Sequence, residues 1–329
     1  MSKPVLISGI QPSGKLHIGN YLGALKNFVD LQNLGRYECL FPIVDLHSLT
    51  KSYDQKEKPA QILDVAADYL AAGLDPKKST IFLQSAVPAH TELMWILSAI
   101  APFSELRRMT QFKDKSEAAP ENVNVGLFFY PILMAADIFL YDTKYVPVGD
   151  DQLQHLELTR TLSRRFNERF GKTFVEPKAL MTETPRVMSL DDPAKKMSKS
   201  RPKGCLYLDD SPDEIRRKIK SAVTDSGSEI KYDEVRKPAI SNLLKIYSSF
   251  SREPIAKLEK QFAGKTYSEF KVNLANCIAD SLANFRKKKT ALTRKPNTIK
   301  TILARGGKSA SLRANRKIGE VKQKIGLTL

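Results

Sequence analysis

Val5-Leu6-Ile7-Ser8-Gly9-Ile10-Gln11-Pro12-Ser13-Gly14-Lys15-Leu16-His17-Ile18-Gly19-Asn20 decides how the rest of this 329-residue chain is read. A short apolar run ends in a turn marked by Gly9, Pro12 and Gly14, and a helical pattern over residues 19–33 follows. The run reads as a buried strand and the turn as its feed into a helix. Such a junction suits a phosphate group. The first N–H groups of a helix lack partners, and its dipole places roughly half a positive charge there. Gly9 and Gly14 permit the tight turn, and Gly19 allows close approach of adenine or ribose to the backbone. His17 can donate from either ring nitrogen and Asn20 from its amide. Taken alone, His17-Ile18-Gly19-Asn20 more often marks a packed strand–turn–helix with a surface histidine.

Working outward, residues 5–9, 39–44 and 80–83 read as buried strands. Residues 19–33, 59–72 and 90–100 read as helices between and after them, with Gly73 as a C-cap. This alternation predicts an α/β fold with a Rossmann-like, doubly wound parallel sheet covered on both faces. A long apolar helix over 126–141, a strand over 145–148 and an amphipathic helix over 150–170 continue the pattern. After Gly171 the chain becomes loop-rich up to Lys196-Met197-Ser198-Lys199-Ser200. Beyond that it is helical throughout. Ser211-Pro212-Asp213-Glu214 has capping-box spacing, and helices are predicted over 238–250, 253–262, 267–288, 297–303 and 309–325. The composition shift near residue 206 divides the chain into an α/β domain, 1–206, and an all-helical basic domain, 207–329.

Net charge is +17, and from Ser281 onward 14 Lys and Arg face one acid, Glu320. That segment suits a polyanion such as RNA, or is a solvated basic tail. Its few aromatics point to backbone contacts rather than base stacking. Cys39, Cys205 and Cys277 are scattered and form no Cys-x-x-Cys pair, so no zinc or iron–sulfur site is expected. The sparse cysteines fit a reducing cytosol. No stretch is apolar enough to span a bilayer, and no secretory signal follows Met-Ser-Lys-Pro; a cytoplasmic location is expected.

Lys196 and Lys199 are three apart, with small Ser198 and Ser200 beside them. On a loop they can close over a triphosphate and stabilise the charge gathered by departing pyrophosphate. Without a partner segment the run is one more solvated basic stretch. Paired with the N-terminal motif, it resembles the two signatures of the class I aminoacyl-tRNA synthetases. The resemblance extends to the tryptophanyl branch of bacterial and organellar type over roughly residues 4–250. It is carried by Ser8 to Gly14, Gly19 to Ala24, Met109-Thr110-Gln111-Phe112-Lys113, Tyr130 to Ile138, Val146 to Gln152, Lys220 to Asp225 and Ser241-Asn242-Leu243-Leu244.

That resemblance implies ATP and Mg²⁺, L-tryptophan and tRNA(Trp) as ligands, a homodimer, and tRNA (anticodon) binding by the helical domain. It implies catalytic roles for His17, Asn20, Lys196 and Lys199. It puts Gln11, Pro12 and Ser13 along ATP, and Gly19 and Asn20 on adenosine and phosphate. Gly149, Asp150 and Asp151 fall near the ribose, Val187 on adenine, and Lys196, Met197, Ser198, Lys199 and Ser200 on the phosphates. Lys113 or Lys115 adds a phosphate contact. Position 17 is His where many tryptophanyl enzymes carry Thr; either can donate to phosphate.

Tyr130, Met134 and Asp137 are spaced i, i+4, i+7 and share a helix face. An aromatic, a thioether and a carboxylate suit an indole, whose ring N–H is donor only. The alternative is an ordinary buried stripe with Asp137 in an ion pair. A carboxylate amid Ala135, Ala136, Ile138 and Phe139 needs a partner, and the family resemblance assigns it to the indole N–H. Gln152 suits the substrate's amino or carboxylate group. Three rival readings share features of the chain: a tyrosine-specific synthetase, a small nucleotidylyltransferase and a noncatalytic RNA-binding paralogue. The nucleotidylyltransferase leaves the lysine motif unexplained.

Overall fold

A computed structural model describes residues 3–112, 117, 121, 123–181 and 186–328. Its centre is a sheet of β1 (Val5–Ile7), β2 (Glu38–Ile43), β3 (Ser79–Leu83), β4 (Tyr145–Val148) and β5 (Lys178–Met181), in the order β3-β2-β1-β4-β5. Every pairing is parallel. Alternate residues of each strand enter different cores, as a pleat requires. Leu6, Cys39, Phe41, Ile43 and Ile81 pack on one face. Val5, Ile7, Leu40, Phe82, Val146 and Val148 pack on the other. Continuous apolar runs are therefore consistent with a sheet buried on both sides.

The first face is covered by a helical stretch of α1 (Ile18–Asn20), a π-helical turn (Tyr21–Leu25) and α2 (Lys26–Leu34), with α3 (Lys58–Ala72) beside it. The second face carries α4 (Ala89–Ser98), α5 (Phe103–Arg107), α6 (Val125–Phe139) and α7 (Leu153–Phe170). The chain then forms α8 (Pro212–Ser221), α9 (Pro238–Ser251), α10 (Ile255–Gln261), α11 (Tyr267–Ser281), α12 (Ala283–Thr293) and α13 (Pro296–Lys324). The expected capping box opens α8: Ser211 Oγ accepts from Glu214 N, and the Glu214 carboxylate accepts from Ser211 N.

Three elements differ from the sequence reading. β5 lies in the stretch read as loop; its residues are half-buried or exposed, so no apolar run marks it. The helix expected over 267–288 breaks at Leu282. The two expected over 297–303 and 309–325 are one, because Gly306-Gly307 is a contact rather than a break. A Cβ on Gly306 would lie 1.9 Å from the Ile81 carbonyl oxygen. The bare backbone lets α13 lie against β3, an edge strand that would otherwise offer unpaired groups. Ile299 and Leu303 enter one core, and Ala310, Ala314, Ile318 and Val321 the other. Helices after residue 206 thus share a core with the first face of the sheet, and the C-terminal half of α13 with the second.

Candidate active site

Parallel sheets place ligands at the carboxyl ends of strands, where the strand order reverses. Here that point lies between β1 and β4. A cavity of about 350 Å³ opens there, lined by Ile7 at the end of β1, by Ser8, Gly9 and Gln11 after it, and by Val148 and Gly149 at the end of β4. Its volume is in the range that holds small ligands.

The turn after β1 is held from below. Tyr69 of α3 is fully buried; its hydroxyl accepts from Ile10 N (2.8 Å) and donates to the Pro42 carbonyl (3.2 Å). Lys58 Nζ donates to the Pro12 carbonyl (3.3 Å) and to Ser48 Oγ (3.0 Å). Gly14 sits at φ +96°, where a side chain is strained.

His17 caps α1. Its Nδ1 accepts from Asn20 N (3.3 Å), and Asn20 Oδ1 accepts from His17 N (3.2 Å). Acceptance at Nδ1 puts the ring proton on Nε2. Burial, then the charges of Lys199 and Lys196, push its pKa down to about 4. The ring is therefore a neutral donor through Nε2, not through either nitrogen. The expectation of free helix amides needs a similar correction. Ile18 N donates to the Leu206 carbonyl (2.9 Å), and Asn20 N is held by His17. Among the described residues the donors left at this end are the Gly19 amide, His17 Nε2 and Asn20 Nδ2. Gly19 is small for a local reason too: a Cβ there would lie 3.0 Å from the His17 ring.

The lysine loop reaches this turn. Leu208 N donates to the Leu16 carbonyl (3.0 Å), and Lys199 Nζ to the Gly14 carbonyl (2.6 Å). Met197 and Val187 are buried, and Met197 N donates to the Val187 carbonyl (3.1 Å). Ser198 and Ser200 hydroxyls lie 2.9 Å apart. Lys196 is exposed. Burial pulls the Lys199 pKa down to about 8, with Asp68 opposing and Lys51 reinforcing the shift.

Tyr130, Met134, Asp137 and Gln152 line the cavity together with His47 and Gln111. Asp137 is buried, and its partners are protein groups: Gln84 Nε2 (2.7 Å) and His90 Nδ1 (2.6 Å) on Oδ1, His47 Nε2 (2.8 Å) on Oδ2. The charge thus already has protein partners, and the ligand is not needed to satisfy it. Burial alone would raise its pKa; the His47 hydrogen bond and the charge and hydrogen bond of His90 bring it down to about 2. A carboxylate has about four acceptor sites, so one remains on Oδ2. The Tyr130 hydroxyl lies 2.8 Å from His155 Nε2, and His155 Nδ1 lies 3.0 Å from Gln152 Oε1.

Gln11 and Gly149 reach the same cavity; Pro12 and Ser13 stand in the turn beside it. Asp150 and Asp151 are exposed on the turn after β4, and Gln111 Nε2 donates to the Asp151 carbonyl (2.9 Å). Lys113 and Lys115 lie outside the described residues. His47, Gln84, His90 and His155 were not singled out in the sequence. None belongs to a motif or repeats at a helical or strand spacing with the others, and only the fold gathers them. Among the described residues no group of three or more His, Cys, Asp or Glu is placed to hold a metal ion.

The chain matches the family described as tRNA synthetases class I (W and Y) over residues 2–283. A tryptophan–tRNA ligase of Caldanaerobacter subterraneus is 50% identical over 327 residues, 98% of each chain. The tryptophanyl-tRNA synthetase structure from Mycoplasma pneumoniae superposes with a TM-score of 0.89 at 34% identity, covering 99% of each chain. That from Campylobacter jejuni, complexed with ADP and tryptophan, gives 0.83 at 36% identity over 98% of this chain and 99% of that one.

Proposed function

The chain belongs to the class I tRNA synthetase family of the tryptophan and tyrosine enzymes, and we propose that it activates L-tryptophan with ATP and transfers it to tRNA(Trp). The observation that carries this reading is the Asp137 carboxylate, with one acceptor site spare, in the wall of a cavity that runs to Gly9 and Gln11 of the nucleotide turn. Tyr130 and Met134 supply apolar walls for an indole; Asp137 Oδ2 accepts its N–H. Gln152, on the same wall, meets the amino or carboxylate group.

The substrate carboxylate is ionised near neutral pH and attacks the α-phosphorus without a general base. Catalysis is then positioning and charge stabilisation. Gln11, Pro12 and Ser13 lie along ATP, Gly149, Asp150 and Asp151 on the ribose side, and Val187 beside adenine. Asn20 Nδ2 and neutral His17 Nε2 donate to phosphate oxygens. Lys196 and Lys199, with the Met197-Ser198 backbone and Ser200 between and after them, gather the charge of the leaving pyrophosphate. Mg²⁺ enters as part of the nucleotide substrate. The aminoacyl group then passes to the 2′-hydroxyl of the terminal adenosine.

Residues 1–206 carry this chemistry and 207–329 hold tRNA, with exposed Lys287, Lys288, Lys300, Lys308 and Arg316 facing its backbone. A homodimer through the catalytic half is part of the reading, supported by exposed Trp95, Phe103 and Val125. Among the described residues no helix is long and apolar enough to cross a membrane, and a cytoplasmic location belongs to the same reading.

ATP–pyrophosphate exchange screened over all amino acids tests the reading: tryptophan alone should drive it. Exchange with tyrosine instead would favour the tyrosine-specific rival. None at all would favour a noncatalytic RNA-binding protein. In Asp137→Ala, preference for tryptophan over phenylalanine should fall by ~10–100-fold, the scale of one charged hydrogen bond.

A further inference from the structure

Behind Asp137, on the side away from the cavity, stand three fully buried polar residues. Gln84, His90 and Tyr141 are each 0% exposed, and none lines the cavity. Gln84 and His90 both donate to Oδ1, which with two donors has no acceptor site to spare. An ionised carboxylate can only accept, so His90 carries its proton on Nδ1. Its Nε2 lies 2.9 Å from the Tyr141 hydroxyl, within hydrogen-bond distance. Tyr141 in turn is fixed through its own backbone, since its carbonyl accepts from Arg313 of α13 (3.2 Å).

Gln84 is the telling member. Its Oε1 is buried with no hydrogen-bond partner among the described residues. A buried amide that leaves its carbonyl unpaired loses free energy, so packing alone does not account for this orientation. The charge-assisted bond to Asp137 does. Gln84 and His90 come from the turn after β3 and from α4, two elements rooted on the same edge strand. Their donors approach Oδ1 from rigid backbone and block rotation of the carboxylate about its Cβ–Cγ bond.

Resting on the reading of Asp137 as the indole acceptor, we infer that Gln84 and His90, with Tyr141 behind His90, are positioning residues that saturate Oδ1 and so leave a single fixed acceptor, on Oδ2, for the ring N–H of the substrate. The clamp makes the cavity select an aromatic side chain bearing an N–H at one place. A ring of the same shape without that donor leaves Oδ2 unpaired and is rejected.

The test compares tryptophan with 3-benzothienylalanine, in which sulfur replaces the ring N–H, in ATP–pyrophosphate exchange by the full chain. Gln84→Met and His90→Phe remove one donor each at similar volume. Both should lower the tryptophan-to-analogue ratio of kcat/KM by ~10-fold, through a higher KM for tryptophan with kcat little changed. His90→Asn, which can place an N–H near the former Nδ1, should restore the ratio. Tyr141→Phe, a single hydroxyl removed, should lower it by a smaller factor and guards against misfolding of the larger changes. Ratios within twofold of the parent in folded Gln84→Met and Tyr141→Phe proteins would overturn the clamp. Loss of tryptophan-dependent exchange in the parent protein would instead overturn the functional reading on which it rests.

Discussion

Lys199 Nζ donates a 2.6 Å hydrogen bond to the carbonyl oxygen of Gly14, 185 residues earlier in the chain. The bond joins the lysine loop to the strand–turn–helix junction. A triphosphate entering the turn offers this ammonium a stronger, charged acceptor. Replacing Lys199 with Ala should slow adenylate formation by ~10²–10³-fold, with tryptophan affinity, followed by fluorescence titration, preserved. Equal losses in both would indicate misfolding.

The same lysine sets an alkaline limit. Burial holds its pKa near 8, so the free enzyme loses this positive charge as pH rises above that value. The pH profile of kcat/KM for ATP reports free-enzyme ionisations and should fall with an apparent pKa of about 8. In Lys199→Arg, which stays protonated, the fall should move to higher pH. A limb unmoved in the arginine variant would assign it elsewhere.

His17 caps α1 and, in the proposed reading, also donates to phosphate, and a substitution can separate the two. As a cap, its loss to Ala should cost about 0.5–2 kcal/mol of stability, whereas Asn is among the good N-caps and should cost little. As a phosphate donor through Nε2, it has no counterpart in either variant, and both should lose adenylate formation by ~10-fold or more. Because its pKa lies near 4, it stays neutral through pH 5.5–7 (about this range by ordinary titration). The pH profile of His17→Asn should therefore run parallel to the parent there.

Two glycines of α13 should respond in opposite directions. Gly319 has nothing within 4 Å of an added Cβ, and Gly319→Ala should stabilise by up to ~1 kcal/mol through helix propensity. At Gly306 the same gain is outweighed by contact with the Ile81 carbonyl, and Gly306→Ala should destabilise by ~1–3 kcal/mol. Urea unfolding midpoints measure both.

Lys289 of α12 is buried against Asp64 and Asp68 of α3, both at 2.8 Å, and lies 3.5 Å from Asp209, which also pairs with Lys15 of the nucleotide turn at 3.0 Å. Burial raises the Asp68 pKa to about 7, with Lys289 opposing the rise. Removing that cation in Lys289→Met should cost ~3–5 kcal/mol and raise the Asp68 pKa further. A carboxyl whose folded pKa exceeds its unfolded value stabilises fully below the unfolded one and loses that contribution as pH rises through the folded one. The variant should therefore be weakened more at pH 8 than at pH 6 (about these values bracket the shift). Equal losses at both would mean Asp68 does not titrate there.

Much of the fold was legible because its signals are local and strong. The apolar runs of β1 to β4 stand out since both faces of the sheet are buried, and Ser211 to Glu214 announces a helix start wherever it is placed. β5 was not legible, because a half-exposed edge strand carries no apolar run. Nor was α13 as one helix: Gly306-Gly307 reads as a break until the Ile81 carbonyl is seen beside it. In the site, His17, Asn20, Lys196, Lys199 and the stripe of Tyr130, Met134 and Asp137 stood out by spacing. His47, Gln84, His90 and His155 did not, since hydrogen bonds between residues 25 to 90 positions apart leave no periodic trace.

By itself the amino-acid order determined strands β1 to β4 and most of the helices, the phosphate-suited turn after β1 and the chemical types available for an indole and a triphosphate. Periodicity, capping and glycine placement act over a few neighbouring residues, and the chain records them directly. Only the tertiary structure decided which proton His17 carries, that its helix amides are largely spent on Leu206 and on His17 itself, and that Asp137 keeps a single acceptor site free. Those outcomes depend on which distant donors arrive within about 3 Å of an atom, and that distance is set by packing of the whole sheet and its helices.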